Sequence, residues 1–520
     1  MAGSKAATQM RDYEAGPVTV GVVGVGAMGR GIAQVSATGG MQVRLFDQMD
    51  GAAEKGRALI VQQLDRLVEK GRMSAEDAAA AAGRMQVVAS LAEMADADLV
   101  VEAVIEDLAV KRQVFAELEK AVRPDALLAS NTSSIRIATI AADCTRKDRV
   151  AGLHFFNPVP LMKLVEVIAA PDTSPEALQA LSVLGKRMGR VPVVVQDGPG
   201  FLVNLGGRAF TTEALRLASE GVADPADIDT VMRSACGFRM GPFELMDLTG
   251  IDVNYPVSQI IYGGFYHDRR LATSPLHQAM MEAGRLGRKT GQGFYDYGGD
   301  APVPAMRTGR CVAPDTSAAP APRIALAEPD RTLGELLVAA GAEVAADDGR
   351  MPIAAAPFGE DCTTLAARLG LDHRRLVAID LTGAGRGCLT VMQAPGGDTA
   401  CRDALVARLR GHAEHVVAIN DSPGFIAQRI LLMIANLGCE MAQLGIATPE
   451  DIDRAMTLGL NYPQGPLQIA DAIGGRRALD GLAAIQAITG DDRYRPSLWL
   501  RRRGLLDLPM ATPDSGPAAG

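Results

Sequence analysis

Three segments of this chain recur in the same order and at one constant spacing. Asp197-Gly-Pro-Gly-Phe201 returns as Asp421-Ser-Pro-Gly-Phe425, 224 residues further on. At the same offset Ala223-Asp-Pro-Ala-Asp-Ile-Asp229 returns as Ala447-Thr-Pro-Glu-Asp-Ile-Asp453, and Gly241-Pro-Phe-Glu-Leu-Met-Asp247 as Gly465-Pro-Leu-Gln-Ile-Ala-Asp471. Three matches in register without a gap mean that one helical domain is present twice. The length of 520 residues agrees, since a single core rarely grows beyond about 250 to 300 residues.

Ahead of the first helical copy the texture is α/β. An apolar, β-branched run from Pro17 to Val23 ends in glycines, a small-residue helix follows from about Gly29 to Thr38, and Met41 to Asp47 reads as a second strand. Strand, glycine turn, helix and strand make a βαβ unit. Periodic helices over about 51–83 and apolar runs at 98–104, 126–129, 149–155 and 191–195 predict a parallel, doubly wound sheet. The expected class is α/β plus all-α: a Rossmann-type sheet, a helical domain, a degenerate Rossmann-like segment and a second helical domain. The boundaries read from composition are a disordered tail at 1–16, the first sheet domain at 17–196 and the first helical domain at 197–297. A linker rich in Pro, Ala and Gly follows at 298–322, then the second α/β segment at 323–418, the second helical domain at 419–505 and a tail at 506–520.

The turn in the first βαβ unit is Gly24-Val-Gly-Ala-Met-Gly29, a G-x-G-x-x-G. The pattern alone is weak, but here it lies between a strand and a helix, as a dinucleotide site requires. Gly24 permits the tight turn, Gly26 lets a pyrophosphate approach the backbone, and Gly29 lets helix and strand pack closely. Ala27 and Met28 open the helix, whose N-terminus offers free N–H groups to phosphate. Asp47, at the end of the second strand, is placed to accept hydrogen bonds from the adenine ribose. It would repel a 2′-phosphate, so NAD is expected rather than NADP.

Other classes are disfavoured. The net charge is -9 and no basic patch with interleaved aromatics occurs, so nucleic acid is not an expected partner. The seven cysteines are scattered without a C-x-x-C, which suggests neither disulfides nor a zinc site and fits a reducing compartment. His412 and His415 read as sharing a helix face without further ligands, so no metal is expected. The N-terminus has no apolar core, and no run of 18 apolar residues occurs, so the expected location is the cytoplasm, with no membrane span.

Two further segments, Ser130-Asn-Thr-Ser-Ser134 and the stretch from Gly152 through His154-Phe-Phe-Asn-Pro158 to Glu166, resemble the 3-hydroxyacyl-CoA dehydrogenase family closely. The glycine loop and Gly287-Arg-Lys-Thr-Gly-Gln-Gly-Phe-Tyr-Asp-Tyr297 fit the same family. The resemblance covers about 17–297 and again the helical part at 419–505. Among members with a duplicated C-terminal half it is nearest to 3-hydroxybutyryl- and 3-hydroxyadipyl-CoA dehydrogenases of bacterial degradation pathways. It implies NAD-dependent oxidation of an acyl-CoA substrate, of short-chain or dicarboxylyl type. His154 would be general base, held by Glu166. Ser133 and Asn204 would bond the reacting oxygen or the acyl portion, and Asn157 would position His154. Glu106, Lys111 and Asn131 would contact the cofactor, and Arg66 and Lys70 are candidates for the CoA phosphates. The chemistry is consistent, because histidine titrates near neutrality and a carboxylate on its far nitrogen stabilises the imidazolium. One departure is Leu205, where the family usually has Arg after the residue matching Asn204. The alternative class is a crystallin-like protein that binds NAD or acyl-CoA without turnover; an intact Ser133, His154, Glu166 and Asn204 set argues against it.

The second half reads as catalytically silent. Its α/β segment opens with Arg323-Ile-Ala-Leu-Ala-Glu-Pro and lacks a G-x-G-x-x-G. Asp380 falls opposite His154, Val391 opposite Glu166, and Gln428 opposite Asn204. Retained helical periodicity without chemistry points to packing. The two helical domains are therefore expected to meet as an intramolecular pseudo-twofold pair, with further homo-oligomerisation left open.

Overall fold

The computed structural model describes residues 12–306 and 313–514. The chain divides into two units, one running to Leu202 and including Gly445–Ala447, the other comprising Val203–Leu444 and the chain from Thr448 onward. Among the described residues the first unit holds strands β1 (Thr19–Val23), β2 (Gln42–Phe46), β3 (Met85–Val87), β4 (Leu99–Glu102), β5 (Leu127–Ser130), β6 (Val150–Phe155), β7 (Leu164–Ala169) and β8 (Val191–Gln196). They form one sheet in the order β3-β2-β1-β4-β5-β6-β7-β8. Helices α1 (Ala27–Thr38), α2 (Ala52–Glu69), α3 (Ala75–Gly83), α4 (Leu108–Ala121), α5 (Ile137–Ile140) and α6 (Pro175–Arg187) connect them. Strands β4, β5 and β6 are buried along their whole length, which is why they read as unbroken apolar runs.

The sheet is not parallel throughout, as had been expected. β1 to β6 are parallel, but β7 runs antiparallel to β6, and β8 is parallel to β7. The physical reason is the short connection from Phe156 to Lys163. A turn of that length joins antiparallel neighbours, whereas a parallel one needs a crossover.

In the second unit the helices are α7 (Val203–Gly206), α8 (Arg208–Glu220), α9 (Pro225–Ser234), α10 (Pro242–Thr249), α11 (Ile251–Gly264) and α12 (Pro275–Glu282). Strands β9 (Tyr295–Asp296) and β10 (Val303–Pro304) then pair antiparallel, so the segment assigned to a linker opens with a strand. A six-stranded sheet follows, built from β11 (Arg323–Leu326), β12 (Glu343–Val344), β13 (Ile353–Ala355), β14 (Leu376–Asp380), β15 (Cys388–Gln393) and β16 (His415–Asn420). Its order is β12-β11-β13-β14-β15-β16, with only the β14–β15 pair antiparallel. Helices α13 (Arg331–Ala339), α14 (Cys362–Leu369) and α15 (Thr399–Arg410) flank it, and α16 (Ala427–Gln443), α17 (Pro449–Leu460), α18 (Pro466–Ile473), α19 (Gly475–Thr489) and α20 (Leu498–Leu506) complete the unit. His412 lies in the turn after α15 and His415 opens β16, so they do not share a helix face.

The repeat is visible as structure. Helices α9, α10 and α11 begin at Pro225, Pro242 and Ile251, and α17, α18 and α19 begin 224 residues later at Pro449, Pro466 and Gly475. Helices α8 and α16 pack against each other. Glu213 of α8, fully buried, takes Arg429 of α16 at 2.8 Å and Arg493 at 2.7 Å, and accepts a hydrogen bond from Tyr494 Oη at 2.8 Å. At the same offset the counterpart of Arg429 is Leu205 and that of Glu213 is Leu437. These two line one small cavity with Phe265, Leu271, Met441 and Leu444 and with the charged Asp268, Arg270 and Glu440. At these two positions an ion pair is answered by leucines, while the buried Arg270 beside them pairs with Asp268 and Glu440.

Both presumed tails are held where they are described. Arg187 donates to the carbonyls of Tyr13 and Gly16. Met510 is fully buried, its N–H donating to Asp471 and its carbonyl accepting from Trp499. Residues 1–11 and 515–520 lie outside the described residues, as does Cys311.

Candidate active site

The β1–α1 turn has the form that a pyrophosphate needs. Gly24 has φ +89°, and a Cβ there would meet the Ala103 carbonyl oxygen at 2.6 Å. A Cβ on Gly29 would lie 1.8 Å from the Gly24 oxygen, so only glycine allows this helix to approach the strand. At Gly26 a Cβ would meet nothing within 4 Å, which leaves open space in front of the turn. Ala27 and Met28 begin α1 with no side-chain cap and no acidic residue in the first turn, so its N–H groups face an uncancelled positive dipole end. Asp47 follows β2. One of its oxygens accepts from Val25 N at 2.7 Å and the other from Met49 N at 3.0 Å, which fixes the carboxylate beside the turn.

A second group organises the loop after β5. Lys111 of α4 is buried between Glu102 at 2.8 Å and Glu106 at 3.2 Å. Glu102, at the end of β4, also accepts from Ser130 Oγ and Val104 N. Glu106 accepts from Thr132 Oγ1, from the N–H groups of Ser133 and Ser134, and from Ser134 Oγ. Burial alone would raise the Glu106 carboxyl, but the Thr132 bond and the Lys111 charge outweigh it and hold it below the ordinary carboxylate range. Ser133 is presented exposed on this loop, and Asn131 Oδ1 accepts from Phe155 N at 2.9 Å, tying the loop to β6. Lys111, buried, braces Glu106.

His154 and Glu166 are directly opposed in the antiparallel β6–β7 register. His154 Nδ1 lies 2.5 Å from Glu166 Oε2, and the other Glu166 oxygen accepts from Leu202 N at 3.2 Å. The histidine is 5% exposed and the glutamate 0%. The rings of Phe156 and Phe201 lie 4.5 and 5.8 Å from the imidazole, closing its sides. With Glu166 ionised, the bond at Nδ1 requires a proton there, which leaves the Nε2 lone pair to take a proton.

Asn157 sits exposed on the turn after β6 and, among the described residues, makes no hydrogen bond to His154. Asn204 stands on α7 in the second unit, its carbonyl accepting from Arg208 Nε at 3.0 Å. Arg66 and Lys70, at the end of α2, are exposed. Sequence reasoning missed Glu102 and Ser130. The available signal was a carboxylate ending a wholly apolar strand, with a lysine on the following helix.

The second unit shows what became of the duplicate. Asp380 pairs in register with Thr390, so Thr390 and not Val391 stands in the place of Glu166. The turn between them is two residues shorter than its counterpart, which shifted the sequence alignment by one. Asp421 accepts from the first N–H groups of α14 just as Asp197 does for α5. That equivalence puts Phe358 where Ser133 would be. Gln428 donates to Asp380 and to the Pro357 carbonyl and accepts from Gly359 N, while the Arg477 guanidinium covers the Phe358 ring at 4.3 Å. Among the described residues no His, Cys, Asp and Glu group could hold a metal ion, and no helix is long and apolar enough to cross a membrane.

Comparison with known proteins agrees with this geometry. Residues 19–198 match the 3-hydroxyacyl-CoA dehydrogenase NAD binding domain, and residues 200–297 and 424–510 both match the C-terminal domain of the same family. The chain is 37% identical over 489 residues to a 3-hydroxyadipyl-CoA dehydrogenase of Escherichia coli, covering 94% of this chain and 98% of the relative. It is 40% identical over 276 residues to the 3-hydroxybutyryl-CoA dehydrogenase of Clostridioides difficile, covering 53% of this chain and 98% of that one. A crystal structure of 3-hydroxybutyryl-CoA dehydrogenase from Escherichia coli superposes with a TM-score of 0.83 at 36% identity, covering 95% and 99% of the two chains. Fold and relatives define an NAD-dependent dehydrogenase. The chain belongs to the 3-hydroxyacyl-CoA dehydrogenase family.

Proposed function

We propose that this protein oxidises (S)-3-hydroxyacyl-CoA to 3-oxoacyl-CoA, acting on short-chain or dicarboxylyl thioesters in the cytoplasm. The observation that carries the reading is the register-fixed contact of His154 Nδ1 with the buried Glu166. NAD, when bound, supplies the hydride acceptor. His154 Nε2 takes the hydroxyl proton, and Glu166 stabilises the imidazolium that results. Ser133 and Asn204 hold the reacting oxygen or the acyl portion beside it. The open space at Gly26, the uncapped start of α1 and the fixed Asp47 suit the pyrophosphate and ribose of NAD. The names of the Escherichia coli and Clostridioides relatives support the two substrate classes.

A panel of 3-hydroxyacyl-CoA thioesters from C4 to C16, including ω-carboxylates, tests the reading with NAD and NADP as alternative acceptors. Turnover should concentrate on short or dicarboxylyl chains and run strongly with NAD. Asp47→Ala should relax the cofactor preference, mainly through weaker NAD binding. Equal kcat/KM for NAD and NADP in the unaltered enzyme would contradict the role of Asp47.

The second half carries no chemistry in this reading, and its helices serve the first copy as a tethered pseudo-twofold partner. The domain boundaries inferred above describe that arrangement. A fragment ending at Tyr297 should be poorly soluble or self-associating, because the face of α8 that covers α16 becomes exposed. A monodisperse, monomeric and fully active fragment in size-exclusion chromatography would show that the partner is dispensable.

A further inference from the structure

Among the described residues eight cationic side chains are buried: Lys111 and the arginines at 149, 208, 270, 402, 429, 493 and 503. Seven of them have a carboxylate oxygen within 4.0 Å. Arg208 has none. Its partners are neutral: Nε donates to the Asn204 carbonyl at 3.0 Å, and one terminal nitrogen donates to Ser258 Oγ at 2.8 Å and to the Asn254 carbonyl at 3.4 Å. No described residue bonds the other terminal nitrogen. A buried charge without a counter-charge is costly, and proteins ordinarily pair it. The cost is visible here, since burial pulls the guanidinium down to about 10.

Two further polar atoms near this charge are buried and unpartnered, Tyr462 Oη and His277 Nε2. Tyr462 is 4% exposed and His277 1%. The Tyr462 ring lies against Phe210 of α8, and His277 lies edge-on to Tyr255 of α11, the helix that supplies Asn254 and Ser258. Both feel the guanidinium: burial first, then Arg208, pushes His277 down to about 4, so it is neutral. Arg208 also opens α8 and adds its charge to the positive end of that helix.

We propose that Arg208, with Tyr462 Oη and His277 Nε2, binds the terminal carboxylate of a dicarboxylyl acyl chain and so determines specificity for it. This rests on the dehydrogenase reading above. Asn204, which that reading places at the acyl portion, precedes Arg208 by one helical turn, about 6 Å along the axis. The Arg208 side chain folds back to the Asn204 carbonyl, which places its guanidinium beside the residue assigned to the acyl portion. Tyr462 comes from the second helical copy, so the silent half would contribute a group to substrate choice.

The test compares kcat/KM for 3-hydroxyadipyl-CoA with that for 3-hydroxyhexanoyl-CoA, equal in length but without the charge. The unaltered enzyme should favour the dicarboxylyl thioester by about 100-fold or more, because a site built for a polar group rejects the analogue lacking it. Arg208→Gln should collapse the ratio to within about tenfold of unity, chiefly through KM, and Arg208→Lys should restore part of it. Should Arg208→Gln fail to fold, Tyr462→Phe, which removes one hydroxyl, should lower the ratio by roughly tenfold. Activity on both thioesters with a ratio near one, or a ratio unchanged in folded variants, overturns the assignment while leaving the dehydrogenase reading intact. Inactivity of the unaltered enzyme on both overturns that reading and this inference with it.

Discussion

Replacing His154 with alanine lowers turnover by roughly 10²–10⁴-fold, the range expected when a general base is removed. NAD affinity should change little, because the glycine turn at Gly24 to Gly29, which the proposal assigns to the pyrophosphate, follows a different strand, β1. Alanine also removes the hydrogen bond that His154 Nδ1 makes to the fully buried Glu166, which costs stability. His154→Asn separates the two effects. Its amide donates toward Glu166 but cannot take a proton, so it should be as inactive as alanine and more stable. Steady-state kinetics with NAD titration and thermal melts read both quantities. Near-normal turnover at neutral pH in either variant would remove His154 from the mechanism.

The second large effect lies far from the chemistry. Glu213 neutralises Arg429 and Arg493 together, and all three are buried. Glu213→Leu should destabilise by about 3–5 kcal/mol, the penalty for leaving buried charge uncompensated. Arg429→Leu should cost less, because Glu213 keeps Arg493 and Tyr494. Burial would raise the Glu213 carboxyl, but the charges of Arg429 and Arg493 hold it below its ordinary value. A depressed carboxyl stabilises fully above its unfolded value and loses that contribution as pH falls through the folded one. The difference between the unaltered protein and Glu213→Leu should therefore be constant near neutrality and shrink only below about pH 4.5. Thermal melts across pH check this, and equal stability of the two proteins at pH 7 would refute it.

Much of this was legible in the sequence, for reasons that differ by element. The β1–α1 turn is a local motif, in which three glycines and a following acid carry their own geometry. The His154–Glu166 pairing came from the family resemblance; the short turn that makes β6 and β7 antiparallel then sets the two side chains opposite each other. Laying the second half over the first missed Thr390 by one residue, because a two-residue shorter turn slides the register while the apolar pattern on both sides persists. Glu102 and Ser130 went unseen because their partners come from separate strand ends that only the sheet order brings together. Arg208 was invisible for a stronger reason. Its meaning lies in the carboxylate it lacks, and the residues around it, Asn254, Ser258, His277 and Tyr462, are scattered over more than 200 positions.

The ion pair on one side of the α8–α16 contact and the leucines on the other have a consequence for how this chain could have arisen and where it can go. In a symmetric dimer every substitution appears twice, and each must suit its own image. Once the copies share a chain, each side can change alone, and here it has. Two first copies placed together would set Glu213 against Leu205, a buried carboxylate facing a hydrocarbon. Two second copies would set Arg429 against Leu437, with the opposite fault. Neither half is its own complement at these positions, so self-association of a separated first half would bury a mismatched pair and should be weaker than the contact it replaces.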